Sequence, residues 1–167
     1  AFNQRGVEIL CPNFNFEDSP EGELMELIMA AQSQYHRQSN RRQVVQKMKA
    51  RLERGYWCFN SKGIPGYERK DDPVHGWLLK RKEPEASIVQ QAFEGYASGR
   101  FQEQTDVLKF LRASNFNNGK PVYLSQVQRL LSRVLYAGYI ELPEWEVARR
   151  KGHHEAIVSL EVFQKAQ

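Results

Sequence analysis

Cysteine is scarce in this 167-residue chain, and long apolar runs are missing. Cys11 and Cys58 are the two cysteines, too few for a disulfide framework and too widely separated for a CxxC zinc pair. No uncharged apolar run approaches the ~20 residues that a membrane helix requires. The chain does not open on the basic and then apolar segments of a secretory signal. We therefore expect reduced thiols, a cytosol-like compartment and no membrane partner.

Extremes of composition are also missing. Hydrophobic residues make up 41% of the chain and charged residues 26%, close to globular averages, which excludes wholesale disorder. The length allows one domain or two small ones, with a buried core. His153 and His154 are adjacent but have no cysteine partners, so we expect them to be solvent-exposed and assign no metal site.

Charge of both signs is present but unevenly distributed around a net charge of +4. Residues 1–36 contain one basic and six acidic side chains. Residues 37–54 contain one acidic side chain, Glu53, and seven basic ones: Arg37, Arg41, Arg42, Lys47, Lys49, Arg51 and Arg54. This order is typical of a chain with one end towards protein or water and the other towards a polyanion. A solvated run of charges explains the pattern equally well at this stage.

One long helix is predicted over about residues 19–54. Ser19 suits its N-cap, Pro20 suits the first helical position, and neither proline nor glycine interrupts residues 23–54. Such a helix is roughly 53 Å long. Its first half has an apolar stripe with the spacing of a buried face: Leu24, Leu27, Ile28, Ala31 and Tyr35. Because residues 36–43 are polar on every side, we expect the first half to contact protein and the second half a phosphate backbone.

The remaining pattern predicts shorter elements. In chain order they are a strand at 6–10, a linker at 55–66, a β-hairpin at 67–82, and helices at 85–98, 104–113 and 125–133, the last capped by Ser125. The last two helices, joined by a polar turn with another helix behind, are typical of a helix-turn-helix. The outward positions of the last helix contain no acidic residue: Gln126, Gln128, Arg129, Ser132 and Arg133. Gln and Arg make bidentate contacts with adenine and guanine, although a plain helical module would show the same periodicity.

Several segments match one family pattern in their order and spacing. They are residues 19–25, 35–37, 49–57 and 65–67, then 85–99 with the pattern E-A-x-x-V…F…Y…G, and 130–138, close to I-L-x-N-P-x-Y-x-G. Together they resemble the large serine recombinases, which include serine integrases and related transposases. His36 and Val134 depart from that pattern, which usually has Glu and Pro at these positions.

The resemblance implies a mainly α fold with a small β component, in which a long connecting helix precedes a helix-turn-helix DNA-binding domain with a β-hairpin. Residues 1–54 would be the end of a catalytic domain with the long helix, 55–66 a linker, 67–150 the recombinase DNA-binding domain, and 151–167 a connector towards an absent zinc ribbon. Residues 56–67 would cross the DNA backbone along the minor groove, unless Tyr56 and Trp57 pack against the following domain. The nucleophilic serine would lie upstream of residue 1, so we expect this chain alone not to cleave DNA.

The resemblance also implies an activity and partners. The intact protein would cut and rejoin double-stranded DNA at a specific attachment site through a phosphoserine link, with no cofactor. It would be a bacterial or phage-encoded cytoplasmic protein that self-associates through the long helix. The implied DNA-binding residues are Arg37, Arg41, Arg42, Lys49, Arg51, Arg54, Lys62, Gln126, Gln128, Arg129 and Arg133. No catalytic residue is assigned. The alternatives are a helix-turn-helix transcriptional regulator with a dimerising helix, and a protein whose basic helix binds an acidic partner.

Overall fold

The computed structural model describes residues 19–60, 64–114, 116 and 120–167. The strand predicted at 6–10 and the candidate residue Lys62 lie outside the described residues. Contacts divide the chain into two compact units, Ala1–Lys47 and Met48–Gln167. The structure confirms the predicted fold class, which is mainly helical with two small antiparallel strand pairs.

A single helix, α1 (Pro20–Glu53), forms the described part of the first unit and enters the second, as predicted. Ser19 caps it by accepting a hydrogen bond on Oγ from the backbone N–H of Gly22 at 3.1 Å. Gly55 follows its end with φ 80°, in the left-handed region that favours glycine. The apolar stripe of its first half is exposed because the described part of the first unit has no second layer: Leu24, Leu27, Ile28, Ala31 and Tyr35.

After the last turns of α1, the second unit contains a β-hairpin followed by three helices. Strand β1 (Tyr67–Asp72) pairs antiparallel with β2 (Gly76–Arg81). The helices are α2 (Glu85–Ala97), α3 (Gln104–Ala113) and α4 (Leu124–Ser132). Helix α3 packs against both α2 and α4, which is the predicted helix-turn-helix arrangement.

The predicted cap of α4 is wrong. The helix begins before Ser125, and its N-cap residue is Tyr123. Oε1 of Gln126 accepts a hydrogen bond from the backbone N–H of Tyr123 at 3.0 Å. A side chain from the first turn therefore satisfies the free N–H group at the start of α4, as in half of a capping box.

Three further elements were not predicted from the sequence. Strand β3 (Tyr139–Leu142) pairs antiparallel with β4 (Val147–Lys151), and helix α5 (Leu160–Lys165) packs against α2. Strand β4 reads Val-Ala-Arg-Arg-Lys, which has little of the β-branched and aromatic content of a strand. Helix α5 has only six residues, although Ser159 caps it through a bond from the Val162 N–H to its Oγ.

Tyr136 lies at the centre of the core of the second unit and is fully buried. Its ring centroid lies 5.9 Å from that of Tyr67 in β1 and 5.6 Å from that of Phe93 in α2. Its backbone carbonyl accepts hydrogen bonds from the N–H groups of Ile157 and Val158 at 2.9 and 3.1 Å. One residue therefore joins the hairpin, α2 and the segment that precedes α5.

Arg51 fixes the last turns of α1 to the rest of the second unit. Its Nε, Nη1 and Nη2 atoms donate to the carbonyls of Trp57, His75 and Trp77 at 3.2, 2.9 and 2.6 Å. Its guanidinium also lies 5.4 Å from the ring centroid of Tyr56 and 5.2 Å from that of Trp77. Charge-assisted hydrogen bonds and cation–π contacts thus join α1, the following loop and the β1–β2 hairpin through one side chain.

The carbonyl end of α1 is capped by β4 and the residues after it. Nη1 of Arg150 donates to the carbonyl of Glu53 at 2.5 Å. Nε2 of His153 lies 3.1 Å from the carbonyl oxygen of Arg54, and the His153 N–H donates to the carbonyl of Gly55. The cationic guanidinium of Arg150 at this C-terminus also complements the helix dipole.

The residues after α1, predicted as the start of a linker, belong to the second unit and pack against its core. Trp57, Cys58 and Phe59 lie against the core, and the ring of Tyr56 stacks on that of His153 with centroids 4.2 Å apart. Cys58 is a free thiol, and burial raises its pKa to about 11. The contacts of Tyr56 and Trp57 agree with the packing alternative rather than with a free minor-groove crossing.

His154 corrects the expectation that both adjacent histidines are exposed, because it is buried while His153 is exposed. Its Nε2 donates to the carbonyl of Leu135 at 2.7 Å, and its Nδ1 has no hydrogen-bond partner among the described residues. The ring fits because Gly152 has no side chain: a Cβ there would collide with Nδ1. Burial lowers the pKa of His154, which favours the neutral imidazole in the folded protein.

We predict that Arg51→Ala lowers the free energy of unfolding of the second unit by about 2 kcal/mol, because three carbonyls lose a charged donor. Urea denaturation followed by tryptophan fluorescence measures this change. Arg42→Ala, which removes an exposed arginine from the same helix, should change stability by less than about 0.5 kcal/mol. Equal stabilities of the two variants would contradict this role of Arg51.

We predict that the second unit loses stability as the pH falls through about 6.5, the pKa of an unfolded histidine. The folded-state pKa of His154 is lowered, so the unfolded chain binds its proton first and the stability is retained only above that pH. The slope reaches at most about 1.4 kcal/mol per pH unit for one proton. Urea denaturation at several pH values should give a smaller slope for His154→Gln, and identical slopes would contradict the prediction.

Candidate nucleic-acid interface

Helix α4 buries one face and exposes a polar one. Its buried side chains are Val127, Leu130 and Leu131. Gln126, Gln128 and Arg129 are exposed, as predicted from the helical periodicity. No carboxylate lies on α4, so its exposed face combines amide groups with positive charge.

The predicted base-reading residues of α4 differ in what they already contact. Oε1 of Gln126 is used in the cap of the helix. The side chains of Gln128 and Arg129 have no hydrogen-bond or ion-pair partner among the described residues. These two side chains keep all of their donors and acceptors available to a ligand.

Arg133 follows the last turn of α4 and is half-buried. Its side chain forms a hydrogen bond with the hydroxyl of Tyr136, and this hydroxyl donates to the carbonyl of Pro65 at 3.1 Å. Burial raises the pKa of Tyr136, which keeps the phenol protonated and able to donate. Arg133 therefore ties the end of α4 to the core.

The predicted phosphate contacts in α1, and Arg54 directly after it, differ in exposure and in ion pairing. Arg37, Arg41 and Arg42 in the first unit are exposed and have no ion-pair partner among the described residues. In the second unit, Arg54 is exposed, whereas Lys49 forms an ion pair with Glu146 at 3.2 Å. Because Glu146 is largely exposed, this pair contributes little and can exchange for a phosphate.

Arg51 is the predicted phosphate contact that the structure uses differently. All three of its guanidinium nitrogens donate to backbone carbonyls of the second unit. A phosphate could recruit Arg51 only by breaking bonds that hold the end of α1. The location of Arg51 in a basic run does not reveal these hydrogen bonds, because the carbonyls that accept them belong to residues 6, 24 and 26 positions away.

Sequence reasoning did not assign Tyr123, the N-cap residue of α4, or Leu124, its first residue, and both are exposed. The sequence signal for these two residues is modest, because it consists only of two large side chains that directly precede the outward polar residues of α4.

Across the described ranges, no group of three or more His, Cys, Asp and Glu side chains is arranged to hold a metal ion. No helix in the described part of the chain is long and apolar enough to cross a membrane.

Comparisons with known proteins agree with the family resemblance. The family model described as Recombinase matches residues 83–167, just over half of the chain and the segment that contains α2, α3, α4 and α5. No curated protein sequence matches the chain.

The solved structures that are similar to this one include the following two. The first, a large serine recombinase–DNA complex, has a TM-score of 0.59 and 25% identity over 75% of this chain and 37% of that chain. The second, from work on the sequence requirements of the Listeria innocua prophage attP site, has a TM-score of 0.59 and 29% identity over 75% of this chain and 49% of that chain. This chain thus corresponds to less than half the length of either. From the family match and these similarities, this chain belongs to the recombinase family and, within it, to the large serine recombinases.

Proposed function

We propose that this chain is a DNA-binding region of a site-specific serine recombinase and that α4 reads base edges in the major groove. The observation that carries this proposal is the exposed face of α4, where Gln128 and Arg129 have no partner among the described residues. The major groove admits an α-helix, and Arg and Gln are the side chains that pair with guanine and adenine there. The DNA complex among the similar structures supports the same assignment.

Contacts with the DNA backbone are proposed for exposed cations of α1 and for Arg54, the residue that follows its last one. Arg37, Arg41 and Arg42 in the first unit, and Arg54 in the second, are exposed and would neutralise phosphates. Lys49 would join them if it exchanges Glu146 for a phosphate. Arg51 is left out because its donors are already used, and Lys62 stays a prediction from the sequence.

Cutting and rejoining of DNA at an attachment site is proposed for the whole recombinase. Its nucleophilic serine would belong to a part of the protein outside this chain, and the phosphoserine link would conserve the energy of the phosphodiester.

Self-association is proposed through the first half of α1, whose apolar stripe is exposed. The domain limits implied by the resemblance, with the DNA-binding domain at 67–150, stay a prediction, whereas residues 57–59 of the predicted linker and α5 of the predicted connector pack in the same unit as that domain. A transcriptional regulator is not favoured, because the matching family is Recombinase.

We predict that Arg129→Ala weakens binding to a duplex selected from a random pool by about 1–3 kcal/mol, because one base loses a bidentate partner. Competition binding across all single-base variants of the duplex should show relaxed preference at one position. Arg100→Ala, which removes the same charge from an exposed loop after α2, should leave both quantities unchanged. Equal weakening on random duplex would instead make Arg129 a phosphate contact.

We predict that the double variant Arg41→Gln, Arg42→Gln flattens the plot of log K against log salt by roughly 0.9 for each phosphate that the variant no longer neutralises. Base preference should not change, because phosphate contacts carry no sequence information directly. Gln has a helix propensity near that of Arg, so α1 should remain intact. Titrations at several salt concentrations measure the slope, with Arg100→Gln as the control. An unchanged slope would leave these arginines as a solvated face only.

A further inference from the structure

Two large apolar side chains are exposed side by side where α4 begins. Among the described residues of the second unit, the large hydrophobic side chains that are exposed are Val74, Tyr123 and Leu124, at 81%, 58% and 39%. Val74 occupies the turn of the β1–β2 hairpin. Tyr123 and Leu124 instead adjoin the polar face that is proposed to read bases.

The position of Leu124 explains its exposure. Val127 and Leu131 follow it at intervals of three and seven residues, so the three share the spacing of one helical stripe. Val127 and Leu131 are 0% and 3% exposed, whereas Leu124 lies in the first turn and is not part of the core. The stripe of α4 therefore ends in an apolar side chain that the fold leaves open to solvent.

Leu124 also adjoins a polar side chain of the exposed face. Residues four positions apart on a helix are neighbours, so Leu124 lies one turn before Gln128 on α4. Gln128 has no hydrogen-bond partner among the described residues. An apolar group next to a free amide matches the major-groove edge of DNA rich in A·T pairs, which offers a methyl group on thymine and a donor–acceptor pair on adenine.

We propose that Leu124 reads the C5-methyl group of a thymine, with Gln128 directed at a neighbouring base pair. The proposal rests on the proposed function of α4 and names one of its specificity contacts. Thymine is the base that presents a methyl group in the major groove, and the N-terminal residues of a recognition helix lie nearest the base edges. Contact with the methyl removes both apolar surfaces from water, an effect worth about three- to fivefold in affinity for one buried methyl-sized group.

The test replaces thymine by deoxyuridine, which removes only the methyl group. Starting from a duplex selected from a random pool, each thymine is replaced in turn, and the affinity of the full chain is measured. Replacement of one particular thymine, or of either of two adjacent ones, should weaken binding by about three- to fivefold. Leu124→Ala should weaken binding to the unmodified duplex by a similar factor, and deoxyuridine should then have no further effect on that variant.

Two further variants keep the result interpretable. Val74→Ala also shortens an exposed apolar side chain, but on the hairpin turn, and should retain the full effect of deoxyuridine. Leu124→Met preserves apolar volume and should retain most of the effect of deoxyuridine on affinity. Far-UV circular dichroism of each variant confirms that α4 is intact.

The possible outcomes separate this inference from the proposed function. If the effects of Leu124→Ala and deoxyuridine multiply independently, or if no thymine replacement matters, the inference is overturned while base reading by Arg129 can still stand. If Leu124→Ala leaves DNA binding unchanged but reduces self-association in light scattering, the exposed pair is a protein contact and the inference is equally overturned. If the chain selects no duplex sequence at all, the proposed function fails and the inference fails with it.

Discussion

The burial of Tyr136 is the constraint on which the arrangement of the second unit depends. Its ring packs between Tyr67 of the first hairpin and Phe93 of α2, and its carbonyl receives two N–H groups from the segment before α5. Its hydroxyl bonds both Pro65 and Arg133, the residue that follows α4. Leaving such a buried group unpaired costs about 1–3 kcal/mol. Because Arg133 is one of the partners of this hydroxyl, the same contact also ties the end of α4 to the core.

Residue type alone does not separate the arginines that stabilise the fold from those that are candidates for DNA contacts. Arg51 gives all of its nitrogens to backbone carbonyls, and Arg133 bonds a buried phenol. Arg129 has no partner among the described residues and lies on an exposed helix face. A guanidinium already held by the fold would have to break those bonds to reach a phosphate or a base. The unpartnered arginines are therefore the better candidates for DNA contacts.

Local signals account for what the sequence predicted correctly. The start of α1 at Ser19, the hairpin, α2 and α3 follow from caps, breakers and periodicity within short windows. Strand β4 and the burial of His154 depend on partners far along the chain, namely β3 and the carbonyl of Leu135. The same limit applies to the interface: the outward face of α4 could be predicted, but the role of Arg51 could not, because two of the three carbonyls that it bonds come from the hairpin turn and β2.

The central claim is that α4 lies in the major groove of duplex DNA, and methylation interference tests it most directly. A duplex selected from a random pool is treated lightly with dimethyl sulfate, which methylates guanine N7 in the major groove and adenine N3 in the minor groove. Bound and free duplexes are then separated and mapped. Because Arg pairs with guanine at O6 and N7, the account predicts that N7 methylation of at least one guanine within the site blocks binding. Binding that survives methylation at every guanine N7 and is blocked only at adenine N3 would contradict it.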